Sequence, residues 1–214
     1  MPNLPISGLP AGSALDGTEL FAIVQDGVTK YTTAQNINYV TSNNYGLFNQ
    51  TGSSAPISGS THISGSLIDG GIGTLSVPAN GFTKGDAYEA VMAGYINCDN
   101  GTTLDIHVDA GAVRLADTDP ITMAGASNKN WRLIINFSIN EIGGAGTAEI
   151  QTVGTFQYRK DASDVLVSEI FEFTNNTTFN TTISNTLDVR ANWGNSPTNN
   201  DSIYSKLFTL KKTY

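Results

Sequence analysis

The stretch Trp131-Arg-Leu-Ile-Ile-Asn-Phe-Ser-Ile139 places a large apolar side chain at every second position. One parity carries Trp131, Leu133, Ile135, Phe137 and Ile139, and the other carries Arg132, Asn136 and Ser138. This period is typical of a β-strand with one buried and one wet face. The same pattern recurs at 104–108 and 187–193, between segments rich in Gly, Asn, Ser and Thr. The sequence therefore predicts a β-sandwich.

The same alternation and the turn residues predict ten strands in the body of the chain. They lie at about 62–68, 73–77, 87–98, 103–109, 112–116, 131–140, 147–158, 164–174, 186–193 and 202–213. Turn residues separate several of them, as at Pro78-Ala-Asn-Gly81 and Asp99-Asn-Gly101. No run longer than residues 34–40 has a helical period. We therefore expect an all-β fold, an antiparallel jelly-roll-like β-sandwich.

A small module precedes the body. Two strand-like runs, Glu19-Leu-Phe-Ala-Ile-Val-Gln25 and Val28-Thr-Lys-Tyr-Thr-Thr33, flank Asp26-Gly27, which predicts a β-hairpin with a type I′ turn. A short helix is expected over residues 34–40. A hairpin plus a short helix buries little by itself, so the module should dock on a partner. The side chains expected to dock are Leu20, Phe21, Ile23, Val24, Val28, Tyr31 and Ile37.

Three parts follow from these patterns. Residues 1–40 form the predicted attachment module and residues 62–214 the predicted sandwich domain. Between them, residues 41–61 are mainly Ser, Asn, Gly and Gln with few apolar side chains, which favours a polar linker.

Composition narrows the functional classes. Charged residues make up 14% of the chain and the net charge is −8, so amides and hydroxyls must wet the surface. Phosphate backbones would be repelled on average, which disfavours nucleic-acid binding. The N-terminus lacks the pattern of a signal peptide and no segment has the length of a membrane span. We expect no membrane insertion, and a protein that stays in the cytosol or leaves it by lysis.

Nothing in the sequence predicts an enzyme. The single cysteine, Cys98, shares a parity with Met92 and Ile96 in an apolar run, which favours a buried, inert thiol. No histidine stands in a recognisable partner motif, and no nucleophile elbow or zinc-protease motif is present. The sequence predicts no catalytic residue and no cofactor.

One strand carries a candidate metal site. Asp105, His107 and Asp109 alternate with apolar residues and would share one strand face within coordinating reach. A solvated strand face needs polar residues at the same positions, and no second His or Cys cluster completes a site. The sequence favours the solvated face.

Trp193 and the polar loop after it suggest a second site. Aromatic rings stack on sugars and amides bind sugar hydroxyls, so Trp193, Asn195 and Asn199 are possible glycan contacts. Trp193 also shares a parity with Leu187 and Val189. That parity favours a core position for the ring.

Two regions of the chain resemble structural proteins of tailed bacteriophages and related large viruses. The segment Leu9-Pro-Ala-Gly-Ser-Ala-Leu-Asp-Gly-Thr-Glu-Leu-Phe-Ala-Ile-Val-Gln-Asp-Gly-Val-Thr-Lys-Tyr-Thr-Thr-Ala-Gln-Asn-Ile37 is similar to the N-terminal module of phage fibre proteins. The body resembles a β-rich C-terminal domain of such proteins, through Leu75-Ser-Val-Pro-Ala-Asn-Gly-Phe-Thr-Lys-Gly-Asp86, the strand from Trp131 to Gly144, and Phe179-Asn-Thr-Thr-Ile-Ser-Asn-Thr-Leu-Asp-Val189.

The resemblance implies a virion component made in the host cytoplasm. It implies a homotrimeric fibre or decoration protein whose N-terminus binds capsid, collar or tail proteins and whose sandwich points outward. The short connector favours a head fibre, collar or tail appendage, with a host-surface glycan as a further partner. The alternative from another class is a carbohydrate-binding module or a glycan-degrading enzyme domain.

Overall fold

The computed structural model describes residues 20–25, 27–33, 46–59, 63–161, 163–194 and 197–214. The chain divides into two compact units, residues 1–44 and 45–214. Every regular element in the described ranges is a strand. The strands are β1 (Leu20–Gln25), β2 (Val28–Thr33), β3 (Leu47–Gln50), β4 (Ile57–Ser58), β5 (Ser64–Ser66), β6 (Gly71–Thr74), β7 (Ser76–Val77), β8 (Ala87–Cys98), β9 (Thr103–Ala110), β10 (Val113–Asp117), β11 (Ile121–Thr122), β12 (Ala126–Glu141), β13 (Glu149–Arg159), β14 (Leu166–Asn175), β15 (Asn185–Gly194) and β16 (Ser202–Lys212).

In the first unit, β1 and β2 form the predicted antiparallel hairpin. Gln25 pairs with Val28, which leaves a two-residue turn. Gly27 in that turn has a φ of 73°, a left-handed conformation that glycine adopts without strain. The predicted helix over 34–40 lies outside the described residues.

The second unit contains two antiparallel sheets. In the large sheet the strand order is β14-β13-β12-β8-β16-β3-β6, with β4 also paired to β16. In the small sheet the order is β10-β9-β15-β5, with β11 paired to β9 and β7 paired to β15. One apolar core takes side chains from both sheets. The second unit is therefore all-β and sandwich-like, as predicted, whereas the jelly-roll topology stays a prediction.

The alternation of the sequence sets the inner and outer face of each sheet. All five apolar side chains on the parity of Trp131 are buried, whereas Arg132 and Asn136 are exposed. Strands β8 and β9 alternate in the same way over their full lengths. The core prediction for these strands is confirmed, including the burial of Cys98.

The predicted linker over 41–61 extends too far and the predicted domain boundary at 62 is too late. Within the range 46–59, β3 and β4 both pair with β16 in the large sheet. Ile57 is fully buried, and the side chain of Gln50 donates a 2.9 Å hydrogen bond to the hydroxyl of Ser205. A polar segment can join a sheet through its backbone and amide groups, which composition does not reveal.

Candidate functional site

The hairpin of the first unit presents apolar side chains to solvent. Val24, Val28 and Tyr31 are 74%, 57% and 76% exposed. By the pairing register, Val24 and Tyr31 lie on the same face of the hairpin. Of the other predicted docking residues, Leu20, Phe21 and Ile23 belong to β1, and Ile37 lies outside the described part of the chain.

The candidate metal residues do share one face of β9, but an arginine engages them. Arg114 on β10 donates from Nε to Asp109 at 2.6 Å and from Nη1 to Asp117 at 3.0 Å. Its Nη2 lies 2.8 Å from Nδ1 of His107. Because a guanidinium only donates, Nδ1 accepts this bond and the Nε2–H of His107 donates to Asp105 at 2.5 Å.

Arg114 supplies the positive charge that pairs with the carboxylates of Asp109 and Asp117. Partial burial lowers the pKa of Arg114, but hydrogen bonds and charge from Asp109 and Asp117 outweigh burial and leave the pKa raised. Among the described residues, no group of three His, Cys, Asp or Glu side chains could hold a metal ion. The polar side chains on this face of β9 are hydrogen-bonded and ion-paired to one another and to β10.

Trp193 is a core residue, so the hypothesis that it contacts glycan is wrong. Its side chain is 1% exposed and its indole N–H donates a 3.0 Å hydrogen bond to the carbonyl of Ile57. Asn195 lies outside the described ranges. Asn199 does line a concave surface, together with loops that are distant in sequence.

This surface is a polar concavity of about 540 Å³ at one end of the sandwich. Amides, carboxylates and hydroxyls supply most of its lining. Among the described residues, the side chains of Asn100, Ser127 and Asn200 have no hydrogen-bond partner. The lining residues are Asn97, Cys98, Asp99, Asn100, Gly125, Ala126, Ser127, Asp161, Asn199, Asn200 and Ser202.

A buried carboxylate holds the walls of the concavity in place. Asp201 is 0% exposed and accepts hydrogen bonds from the backbone N–H groups of Asp99 at 2.8 Å and Thr198 at 2.6 Å. The hydroxyl of Thr198 donates in turn to the carboxylate of Asp99 at 2.7 Å. The 99–100 turn and the 198–201 turn are thus joined through one side chain, which restricts their movement.

Cys98 lies beneath the concavity and is chemically protected. Burial raises the pKa of the Cys98 thiol from 9.0 to about 12, with a smaller contribution from the negative charges of Asp201, Asp161 and Asp99. The thiolate is the nucleophilic form of cysteine, so a raised pKa suppresses its reactivity.

We expect Cys98 to resist iodoacetamide in the folded protein at pH 8. With a pKa of about 12, roughly one thiol in 10,000 is ionised at that pH. The folded-state pKa is raised, so this group stabilises the fold fully below pH 9 and the contribution is lost as pH rises toward 12. Mass spectrometry should find the label only after unfolding in guanidinium chloride. Rapid labelling of the native protein at pH 8 would contradict the burial.

A pair of stacked tyrosines lies beside the concavity on the outer face of the large sheet. The rings of Tyr95 and Tyr204 are 5.9 Å apart between centroids and 29° from parallel. Both are half-buried, and the ammonium of Lys206 lies 5.0 Å from the centre of the Tyr95 ring. Asn97 and Ser202, which line the concavity, are two residues away along the same two strands. The tyrosine pair and the concavity therefore share an edge.

A β-bulge in β16 lies next to the tyrosine pair. The register of β16 against β8 shifts between Ser205 and Leu207, opposite Gly94. The indole N–H of Trp131 donates to the carbonyls of both tyrosines, at 3.1 Å to Tyr95 and 3.2 Å to Tyr204. A Cβ at Gly94 would overlap the carbonyl of Tyr204, so only glycine fits there. Such β-bulges are common next to functional sites because they redirect side chains.

Sequence reasoning missed both the concavity and the tyrosine pair. The concavity is assembled from turns near residues 99, 126, 161 and 200, and no local pattern connects them. One of the two tyrosines could have been recognised from the sequence. Tyr95 has the parity opposite to Met92 and Ile96, so it is a large aromatic residue at a position predicted to be wet.

No family model matches the chain, and no curated protein matches its sequence. Within the described ranges, no helix is long and apolar enough to cross a membrane.

Proposed function

We propose that the protein is a structural component of a virion, a trimeric head fibre, collar or tail appendage. Its N-terminal hairpin binds capsid, collar or tail proteins, and its β-sandwich, with a jelly-roll-like topology, is displayed outward. The proposal rests on the resemblance to phage structural proteins. It is supported by one observation above all, the exposed apolar side chains of the hairpin.

That observation matters because the hairpin is small. A two-stranded hairpin is marginally stable alone, and side chains such as Val24 and Tyr31 gain free energy when a partner covers them. Exposed apolar patches of this kind are typical of docking surfaces. The hairpin belongs to a different unit from the sandwich, which suits an anchor.

Self-association is supported by the edge of the large sheet. Strand β14 is a terminal strand in the sheet order and is ten residues long. It carries two charged residues, Glu169 and Glu172, but no proline or lysine. Ile170 and Phe173 on this strand are 71% and 47% exposed. Proteins that stay monomeric usually protect such an edge with charges, bulges or a covering segment. A neighbouring copy of the chain would cover it in the proposed trimer.

We expect Val24→Asp and Tyr31→Asp to reduce incorporation into particles by about tenfold or more, since each would bury a charge in the docking surface. The melting temperature of the sandwich should not change, because the hairpin lies outside that unit. Quantitative mass spectrometry of purified particles measures the copy number. Tyr214→Asp is the matched control, an exposed tyrosine at the C-terminus. Normal copy numbers of a form that lacks residues 1–44 would show that the hairpin is not the anchor.

A carbohydrate-binding module, with or without glycan-degrading activity, is the second candidate. The polar concavity beside the tyrosine pair favours it. The native mass of the full chain separates the two candidates: a stable trimer supports the virion component, and a monomer that binds glycan supports the module.

A further inference from the structure

We propose that the concavity and the Tyr95–Tyr204 pair form a single binding site for a neutral saccharide. This inference goes beyond the proposed function, because a site of this kind would work equally on a particle or on a free protein. The aromatic residues assigned to glycan binding are now Tyr95 and Tyr204 on the outer face of the large sheet, in place of the buried Trp193.

The site combines the two kinds of group that bind a sugar, aromatic rings and hydrogen-bonding side chains. The apolar C–H face of a pyranose ring packs on an aromatic ring, and its hydroxyls need convergent donors and acceptors. Tyr95 and Tyr204 supply the rings. Two residues along a strand span about 7 Å, so a chain lying on the tyrosines reaches the amides of the concavity within one or two sugar units.

The concavity has unused hydrogen-bonding capacity and sufficient room. The side-chain amides of Asn100 and Asn200 are exposed and have no partner among the described residues. Each amide offers both a donor and an acceptor, as a sugar hydroxyl does. The volume of about 540 Å³ falls within the range of ligand pockets, about 300–1,000 Å³.

Charge selects against acidic sugars. Asp99 and Asp161 line the concavity, and the buried Asp201 lies behind it. The ammonium of Lys129 is 3.6 Å from Asp161 and is shared with Asp164 at 3.4 Å, so it offsets only part of this charge. Lys206 lies at the Tyr95 ring and is not among the residues that line the concavity. A sialic or uronic acid carboxylate bound in the concavity would therefore meet like charge. Neutral hexoses or N-acetylated sugars fit the site.

The walls of the site are held rigid before any ligand arrives. Asp201 joins the two turns of the concavity, and the indole of Trp131 bonds both backbone carbonyls beneath the tyrosines. Little conformational freedom is then lost on binding, which favours affinity.

The test applies the full-length chain to a printed array of neutral and sialylated oligosaccharides, followed by calorimetry with the best neutral ligand. We expect binding to neutral members and none to their sialylated counterparts. Tyr204→Ala and Asn100→Ala should each weaken binding by about tenfold or more. The controls are Tyr214→Ala, an exposed tyrosine at the C-terminus beside the start of β8, and Asn136→Ala, an exposed asparagine in the middle of β12. Both should bind like the native chain.

Three outcomes would overturn the proposal: no binding to any neutral oligosaccharide, binding only to sialylated ones, or binding that survives both test substitutions. The side chain of Asn100 is exposed and has no partner in the described part of the chain, so its substitution should leave the fold intact if Tyr204→Ala proves unstable. Incorporation into particles is measured separately. If the native chain binds no neutral saccharide but is incorporated normally, this site alone is refuted. If the native chain binds saccharide but the Val24→Asp and Tyr31→Asp variants are incorporated normally, the proposed anchor alone is refuted.

Discussion

Removing residues 1–61 is expected to unfold the sandwich, whereas removing residues 1–44 is expected to leave it folded. The two fragments differ by residues 45–61, which the composition of the chain suggests is a linker. Within this range the structure places β3 and β4 in the large sheet. Circular dichroism and thermal melting of the two fragments measure the difference.

The cost of the longer deletion comes from both apolar and polar groups. Burial of Ile57 contributes about 2–3 kcal/mol, and the indole N–H of Trp193 would lose its acceptor on Ile57, at about 1–3 kcal/mol. Ser205 would lose its bonds to Gln50 and Ser54 as well. The sum is about 5 kcal/mol or more, comparable with the whole stability of many domains, about 5–15 kcal/mol.

Fragment 45–214 is the control for this experiment. It keeps every strand of both sheets, so it should show a β-type spectrum and one cooperative melt. If fragment 62–214 melted as cooperatively, and within a few degrees of the longer fragment, then β3 and β4 would contribute nothing to the core.

The second large effect is expected from Ile135→Asp. Ile135 is 1% exposed in the middle of β12, where it pairs with Ala90 on one side and Gly154 on the other. No lysine or arginine is among the buried residues that the structure describes, so the new carboxylate would have no partner. An unpaired buried charge of this kind should cost about 5 kcal/mol, measured by chemical denaturation.

Asn136→Asp is the matched substitution on the other face of the same strand. Asn136 is exposed, and its cross-strand neighbour Glu89 is already paired with Lys211 at 2.7 Å. A carboxylate there meets only a small repulsion, so we expect a change of about 0.5 kcal/mol. Equal destabilisation by the two substitutions would mean that β12 is buried on both faces.

The long strands could be predicted from the sequence because each carries its own period of two. Strands β8, β9, β12 and β15 each run for at least eight residues, which is enough for the alternation to be recognised. Short strands do not carry that signal. β3 reads Leu-Phe-Asn-Gln, a run of four residues whose place in the sheet comes from pairing with β16 and β6.

The candidate site could be predicted only in fragments. Asn199 lines the concavity, as its position in a polar loop suggested, but the aromatic partner was misassigned. Trp193 follows the buried parity of β15, whereas the tyrosines that stack on the outer face are 109 positions apart in sequence. Their contact depends on the pairing of β8 with β16, which is a tertiary property. The Asp105, His107 and Asp109 set could not be separated from an ion-pair network until the position of Arg114 was known.

The two tryptophans of the chain give it a pair of built-in spectroscopic probes. The indole N–H of Trp131 donates to the backbone carbonyls of Tyr95 and Tyr204 on the large sheet. The indole N–H of Trp193 donates to the backbone carbonyl of Ile57, which lies in the range 46–59. A nitrogen-15 spectrum of the protein therefore has one indole resonance for each region. The first resonance reports events on the outer face of the large sheet, and the second reports whether residues 46–59 remain attached. Saccharide occupancy and local detachment can thus be followed separately in one unmodified sample.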